Sequence, residues 1–155
     1  TPDELFAVME HYLDAAQHAQ KVPVEQRLDK ELVLLDPVAL NMIRSIDQRH
    51  ADERVRKIIT LFMESSTQHM SELQDLPENT DFDKICHAAH ALKSTSANVG
   101  AVRLSDYARR IEYRARKNDA FVGRHWNDQL DQVYHETVLA LSEVSEKSNR
   151  PKNRF

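Results

Sequence analysis

Glycine and cysteine are nearly missing from this chain: its 155 residues hold two glycines, Gly100 and Gly123, and one cysteine, Cys86. Two isolated glycines cannot build a loop that cradles phosphates with backbone N–H groups, so the dinucleotide fingerprint and the P-loop are both excluded and autonomous use of ATP is not expected. One thiol permits neither an internal disulfide nor a cysteine-based zinc site, as suits a reducing, cytoplasmic compartment. No apolar run approaches the roughly 20 residues that a spanning helix needs, so no membrane contact is expected. No signal peptide opens the chain, and a first residue of Thr rather than Met points to a cut at the N-terminus. A net charge of −4 is too mild to indicate nucleic acid as a partner.

What is present is an ordinary soluble composition, 41% apolar and 30% charged, in a length that suits one domain with a real core. Scarce glycine and repeated 3.6-residue periodicity predict an all-α fold. Thr1-Pro2-Asp3-Glu4 opens a first helix that runs to about residue 20, and the charged stretch around Pro23 reads as a linker, so 1–30 form an N-terminal helix and linker. Asp36-Pro37 is a cap followed by a proline, which predicts a short helix over 37–47. Four long amphipathic helices follow. Their apolar faces are Val55, Ile58, Ile59, Phe62, Met70 and Leu73; Ile85, Ala88 or Ala89, Leu92 and Val99; Leu104, Tyr107, Ala108, Ile111 and Ala115; and Trp126, Leu130, Val133, Thr137, Leu141 and Val144. Gly100 stands where a left-handed residue would end the second of these. The expected fold is an antiparallel four-helix bundle over 31–147, with an additional N-terminal helix before it and a flexible tail over 148–155.

One histidine stands out by its place. A helix turns about 100° per residue, which sets His90 roughly 200° away from the inward-facing Leu92 and leaves it pointing outward. Cys86, His87, Lys93, Ser94 and Ala97 share its side. An exposed imidazole with small neighbours is open to a partner and can act as a nucleophile, and Lys93, one turn on, sets a cation beside whatever His90 would carry. The next helix holds Arg103, Arg109, Arg110, Arg114, Arg116 and Lys117, a basic run that serves equally as a docking patch for an acidic partner or as a solvated face paired with its own carboxylates. His87 and His90 at i, i+3 are only two ligands, and no third converges on them from the sequence, so no metal site is expected. Exposed apolar residues on the preceding helix, such as Leu61 or Met63, are further candidates for contact with a partner.

The run His90-Ala91-Leu92-Lys93-Ser94-Thr95-Ser96-Ala97-Asn98-Val99-Gly100-Ala101, followed by Leu104, Ala108, Ile111 and Glu112, resembles the histidine-containing phosphotransfer signature H-x-L-K-G-S-x-A-N-x-G-A…L…A/C…L-E, in register and without a gap. The resemblance implies a phosphorelay intermediate of a two-component system. His90 would accept a phosphoryl group from the phospho-aspartate of one receiver domain and pass it to a response regulator. Lys93 would stabilise the phosphate and Glu112 would orient the imidazole. The domain would bring no cofactor of its own, the Mg²⁺ being supplied by the partner receiver, and would not turn over alone. Cys86, His87, Ala97, Arg109 and Arg116 would lie under the docked receiver. The segment Thr1 to Met9 is similar to the start of a receiver's last helix, which implies the C-terminal segment of a bacterial hybrid sensor histidine kinase, at the cytoplasmic end of an inner-membrane protein.

The sequence departs from the signature at Ser94, where the family has glycine after the lysine, and attenuated rather than abolished transfer is expected there. Ser94 also keeps a second reading open, a helical adaptor that docks a receiver or kinase without being phosphorylated. A dimeric histidine-kinase hairpin fits less well, because it places an acidic residue directly after its histidine and here Ala91 follows His90.

Overall fold

The computed structural model describes residues 32–122 and 125–149. The N-terminal helix expected over 1–20, its linker and the last residues of the tail lie outside the described residues. Five helices follow in order, α1 Pro37–Ile46, α2 Ala51–Glu72, α3 Phe82–Asn98, α4 Val102–Arg116 and α5 His125–Asn149, with no strand among the described residues.

Each start has a local cause. Asp36 caps α1, its Oδ1 accepting from the Val38 N–H at 3.0 Å, and Pro37 occupies a first-turn position where a missing N–H costs nothing. Asp52 and Glu53 sit in the first turn of α2, where negative charge meets the positive end of the helix dipole. Asp81 caps α3 by accepting from the Lys84 N–H at 3.2 Å. Between α2 and α3 the chain turns through Asp75, at φ 55°. Leu76 is fully buried in that turn and its N–H is taken up by Asn127 Oδ1 at 2.9 Å, while Asn127 Nδ2 donates to the Leu73 carbonyl at 3.0 Å. A side chain of α5 thus satisfies the end of α2.

The end of α3 positions the site. Gly100 adopts φ +75°, as the sequence pattern requires. Its N–H donates to the Ala97 carbonyl and the Ala101 N–H donates to the Ser96 carbonyl, the paired bonds of a Schellman termination. A second constraint is not visible in the pattern. The Gly100 carbonyl accepts from the Asp36 N–H at 2.7 Å, and a Cβ on Gly100 would lie 2.2 Å from the Asp36 carbonyl oxygen. Only glycine permits the chain entering α1 to lie against the α3–α4 turn. That three-residue turn reverses the chain, and α4 returns along α3 with the Ser105 hydroxyl donating to the Lys93 carbonyl at 2.9 Å.

The long helices close a ring in which α2 and α4 each pack on both α3 and α5, and α1 packs on α2. The core follows the 3.6-residue stripes: Val55, Ile59 and Phe62 from α2, Ile85, Ala88, Ala89 and Leu92 from α3, Leu104, Tyr107, Ala108, Ile111 and Ala115 from α4, and Leu130 and Leu141 from α5 are all buried. Two buried hydroxyls inside the ring find partners, Ser66 meeting that of Tyr134 at 2.9 Å and Thr137 donating to the Val133 carbonyl at 2.7 Å.

Three details differ from the sequence pattern. Trp126 is half-buried, standing edge-on to Phe121 at 5.3 Å, and Phe121, just ahead of α5, takes the fully buried place. Met63 packs against the core from a half-buried position, so of the two residues suggested as exposed on α2 only Leu61 is. The helix α5 continues through Asn149, and Ser148 is buried, its Oγ accepting from Arg44 at 3.5 Å, because the stripe through Leu141 and Val144 extends one more turn. No described helix is long and apolar enough to cross a membrane.

Candidate functional site

His90 lies in the middle of α3, on the face opposite the buried Ala88, Ala89 and Leu92, and its side chain is 59% exposed. Directly across the α3–α4 interface, Glu112 is almost wholly buried at 3% exposure. A buried carboxylate must be paired, and this one gathers three cationic or donor groups. His90 Nδ1 stands 2.9 Å from Oε1, Arg116 Nη2 reaches the same Oε1, and Lys93 Nζ lies 2.7 Å from Oε2 in an ion pair rather than an aligned hydrogen bond. Arg116 sits one turn after Glu112 on α4, and Lys93 one turn after His90 on α3.

Burial pushes the Glu112 carboxyl up, and the Lys93 ammonium together with the His90 contact more than offsets it, leaving it below its ordinary value. Glu112 is therefore a carboxylate at neutral pH. Facing it, the neutral imidazole carries its proton on Nδ1, which directs the Nε2 lone pair away from α4 into solvent. The arrangement presents one nucleophilic nitrogen, oriented from behind, on a helix face open to a partner.

The other residues singled out in the sequence fall in different places. His87 is exposed on the His90 face, Ala97 half-buried, and Cys86 half-buried against the core. Ser94 turns its hydroxyl to the His90 carbonyl at 3.1 Å, so its proton is held by the backbone one turn back. Arg109 binds Asp106 through Nε and Nη2, at 3.2 and 2.6 Å, with both side chains largely buried.

The rest of the basic run is likewise engaged. Arg103 pairs with Glu136 on α5 at 3.4 Å, and Arg114 donates to the Ala120 carbonyl while its guanidinium lies 5.5 Å from the Trp126 ring. Lys117 Nζ stands 4.5 Å over the Tyr113 ring, and the Arg110 guanidinium 5.6 Å over that of Tyr107. Arg116 stands four residues after Glu112 in the sequence, but that this pair also holds His90 required the fold. No group of three His, Cys, Asp or Glu side chains able to hold a metal occurs among the described residues.

Comparison with known proteins agrees with this geometry. The Hpt domain family matches residues 57–136, just over half of the 155-residue chain, from the first turns of α2 to the middle of α5. Among solved structures the chain is similar in fold to histidine-containing phosphotransfer protein B from Pseudomonas aeruginosa PAO1, with a TM-score of 0.64 at 19% identity, over 74% of this chain and 96% of that one. No curated protein matches the chain.

Proposed function

From the premise that this chain belongs to the Hpt domain family, with a histidine phosphotransfer role in two-component phosphorelay, we propose that His90 is its phosphoacceptor, charged by the phospho-aspartate of a receiver domain and discharged to a response regulator. The observation that carries this is the exposed imidazole whose Nδ1 is tied to a buried carboxylate at 2.9 Å.

The Nε2 lone pair attacks phosphorus in line as the bond from phosphorus to the receiver's aspartate oxygen breaks. The electron pair leaves with the aspartate carboxylate. No proton is released, since Nδ1 keeps its own, and the imidazole ring acquires positive charge as the nitrogen–phosphorus bond forms. Glu112 lies where that charge develops and stabilises it, as well as fixing the tautomer. Phosphoryl transfer needs mainly alignment and charge neutralisation, and the receiver contributes Mg²⁺ to the latter. This chain's own contribution is the oriented imidazole and Lys93, one helical turn after the acceptor on α3. The reverse sequence passes the group to the next receiver.

The likeness of the segment Thr1 to Met9 to part of a receiver domain supports a hybrid sensor kinase as the parent protein. The test is transfer from a phosphorylated receiver in the presence of Mg²⁺ to the wild-type chain and to His90→Gln. Acid-labile, base-stable label on the wild type alone supports the relay. Equal labelling of both rejects His90, and receiver binding without label on either supports an adaptor instead.

A further inference from the structure

Three cationic or donor groups share two oxygens of one buried carboxylate, and His90 and Arg116 meet on the same one. In the arrangement described, Lys93 is spent on Glu112 and not on the space before Nε2. A phosphoryl group on Nε2 would bring two negative charges within reach of the Lys93 ammonium, and an ammonium on a flexible four-carbon stem follows the larger charge. If Lys93 leaves, Glu112 would remain 3% exposed with a single fixed cation. That cation is Arg116, on the same helix and held at i+4 whatever α3 carries.

We propose that Lys93 and Arg116 divide two duties: Lys93 exchanges Glu112 for the phosphoryl group, and Arg116 is the positioning residue that keeps Glu112 ionised and accepting from His90 Nδ1 after that exchange. This rests on the phosphoacceptor reading of His90. In the unphosphorylated chain two cations touch Glu112, Lys93 at Oε2 and Arg116 at Oε1. In the phosphorylated chain only Arg116 would be left. One turn before Glu112 on α4, Arg109 is bound to Asp106, and Arg103 at the start of α4 pairs with Glu136 of α5. The guanidinium is 68% exposed, so water weakens the pair and the effect is moderate.

The experiment compares the wild-type chain with Arg116→Ala, Arg116→Lys, Lys93→Ala and the double alanine variant, each equilibrated with a phosphorylated receiver and Mg²⁺. Nitrogen NMR of the His90 ring is recorded before and after phosphorylation. Expected before phosphorylation is an Nδ1–H ring in the wild type and both single alanine variants, lost in the double variant. In Arg116→Ala the phosphohistidine to phospho-aspartate ratio should fall roughly three- to tenfold, within the range of a partly exposed charge-assisted contact, and Arg116→Lys should restore most of it. An Arg116→Ala ratio equal to wild type, or loss of the Nδ1–H form in that variant before phosphorylation, overturns the division of duties while leaving His90 as acceptor. Absence of phosphohistidine in the wild type would instead overturn the reading on which the inference rests.

Discussion

Replacing Gly100 with alanine tests how the site helix is terminated. The position has φ +75°, and a left-handed backbone costs an L-residue other than glycine roughly 1–2 kcal/mol. The added Cβ would also meet the Asp36 carbonyl oxygen at 2.2 Å, a backbone atom that cannot rotate away. Relieving that overlap moves the α1 entry and breaks the 2.7 Å bond from the Asp36 N–H to the Gly100 carbonyl, worth about 0.5–1.5 kcal/mol. Alanine recovers about 0.4–1 kcal/mol by restricting the unfolded chain. The net expectation is a loss of roughly 1–3 kcal/mol, or about 2–12 °C in Tm for a chain of this size. Urea denaturation followed by circular dichroism reads it as a lower midpoint at unchanged slope. Gly100→Asn is the discriminating companion: asparagine tolerates the left-handed region but carries a Cβ, so steric contact with Asp36 predicts that it is nearly as damaging as alanine. A loss under 1 kcal/mol for alanine, or near wild-type stability for asparagine, would refute the reasoning.

Asn127→Leu keeps the volume but strands the Leu76 N–H and the Leu73 carbonyl, and should cost roughly 2–4 kcal/mol in the same assay. Glu112 titrates below its ordinary value in the folded chain, so it binds fewer protons folded than unfolded in that range. Its contribution to stability is therefore full above its unfolded value near 4.5 and disappears as pH falls through the lower folded value. The difference in urea midpoint between wild type and Glu112→Gln should accordingly shrink between pH 7 and pH 3, and a difference that grows on acidification would contradict the assignment. Ser94→Gly removes the hydroxyl beside His90 and should raise the phosphoryl-transfer rate several-fold at a stability cost of about 0.5 kcal/mol, measured by stopped transfer from a phospho-receiver; a slower variant would mean that the serine assists the phosphoryl group.

Much of the bundle is written in local chemistry. Asp36-Pro37, Asp81 and Gly100 mark helix ends through caps, a proline and a left-handed turn, and the stripes through Ile59, Leu92, Ile111 and Leu141 define the inward faces. His90 was legible as outward-facing from angle alone. Contacts between helices were not. That Phe121 rather than Trp126 is fully buried, that Asn127 closes the end of α2, and that Asp36 rests on Gly100 all depend on residues distant in sequence. The basic run on α4 shows the same limit, since its pairing with Asp106, Glu136, Glu112 and aromatic rings follows from rotamers and neighbours that composition does not encode.

The site itself divides in the same way. Lys93 and Glu112 were assigned separate duties, one toward phosphate and one toward the imidazole, and the fold brings the two side chains onto each other at 2.7 Å. A buried carboxylate serving three groups is a property of the α3–α4 interface, and only the packing of these two helices makes it visible.

The measurement that bears most directly on this account is phosphorus and nitrogen NMR of the chain after phosphorylation by a receiver. The account predicts one phosphoramidate, bonded to Nε2 of His90, with the proton retained on Nδ1 and broadened or shifted in Glu112→Ala. Phosphorus on Nδ1, on another histidine, or on no histidine at all would contradict it.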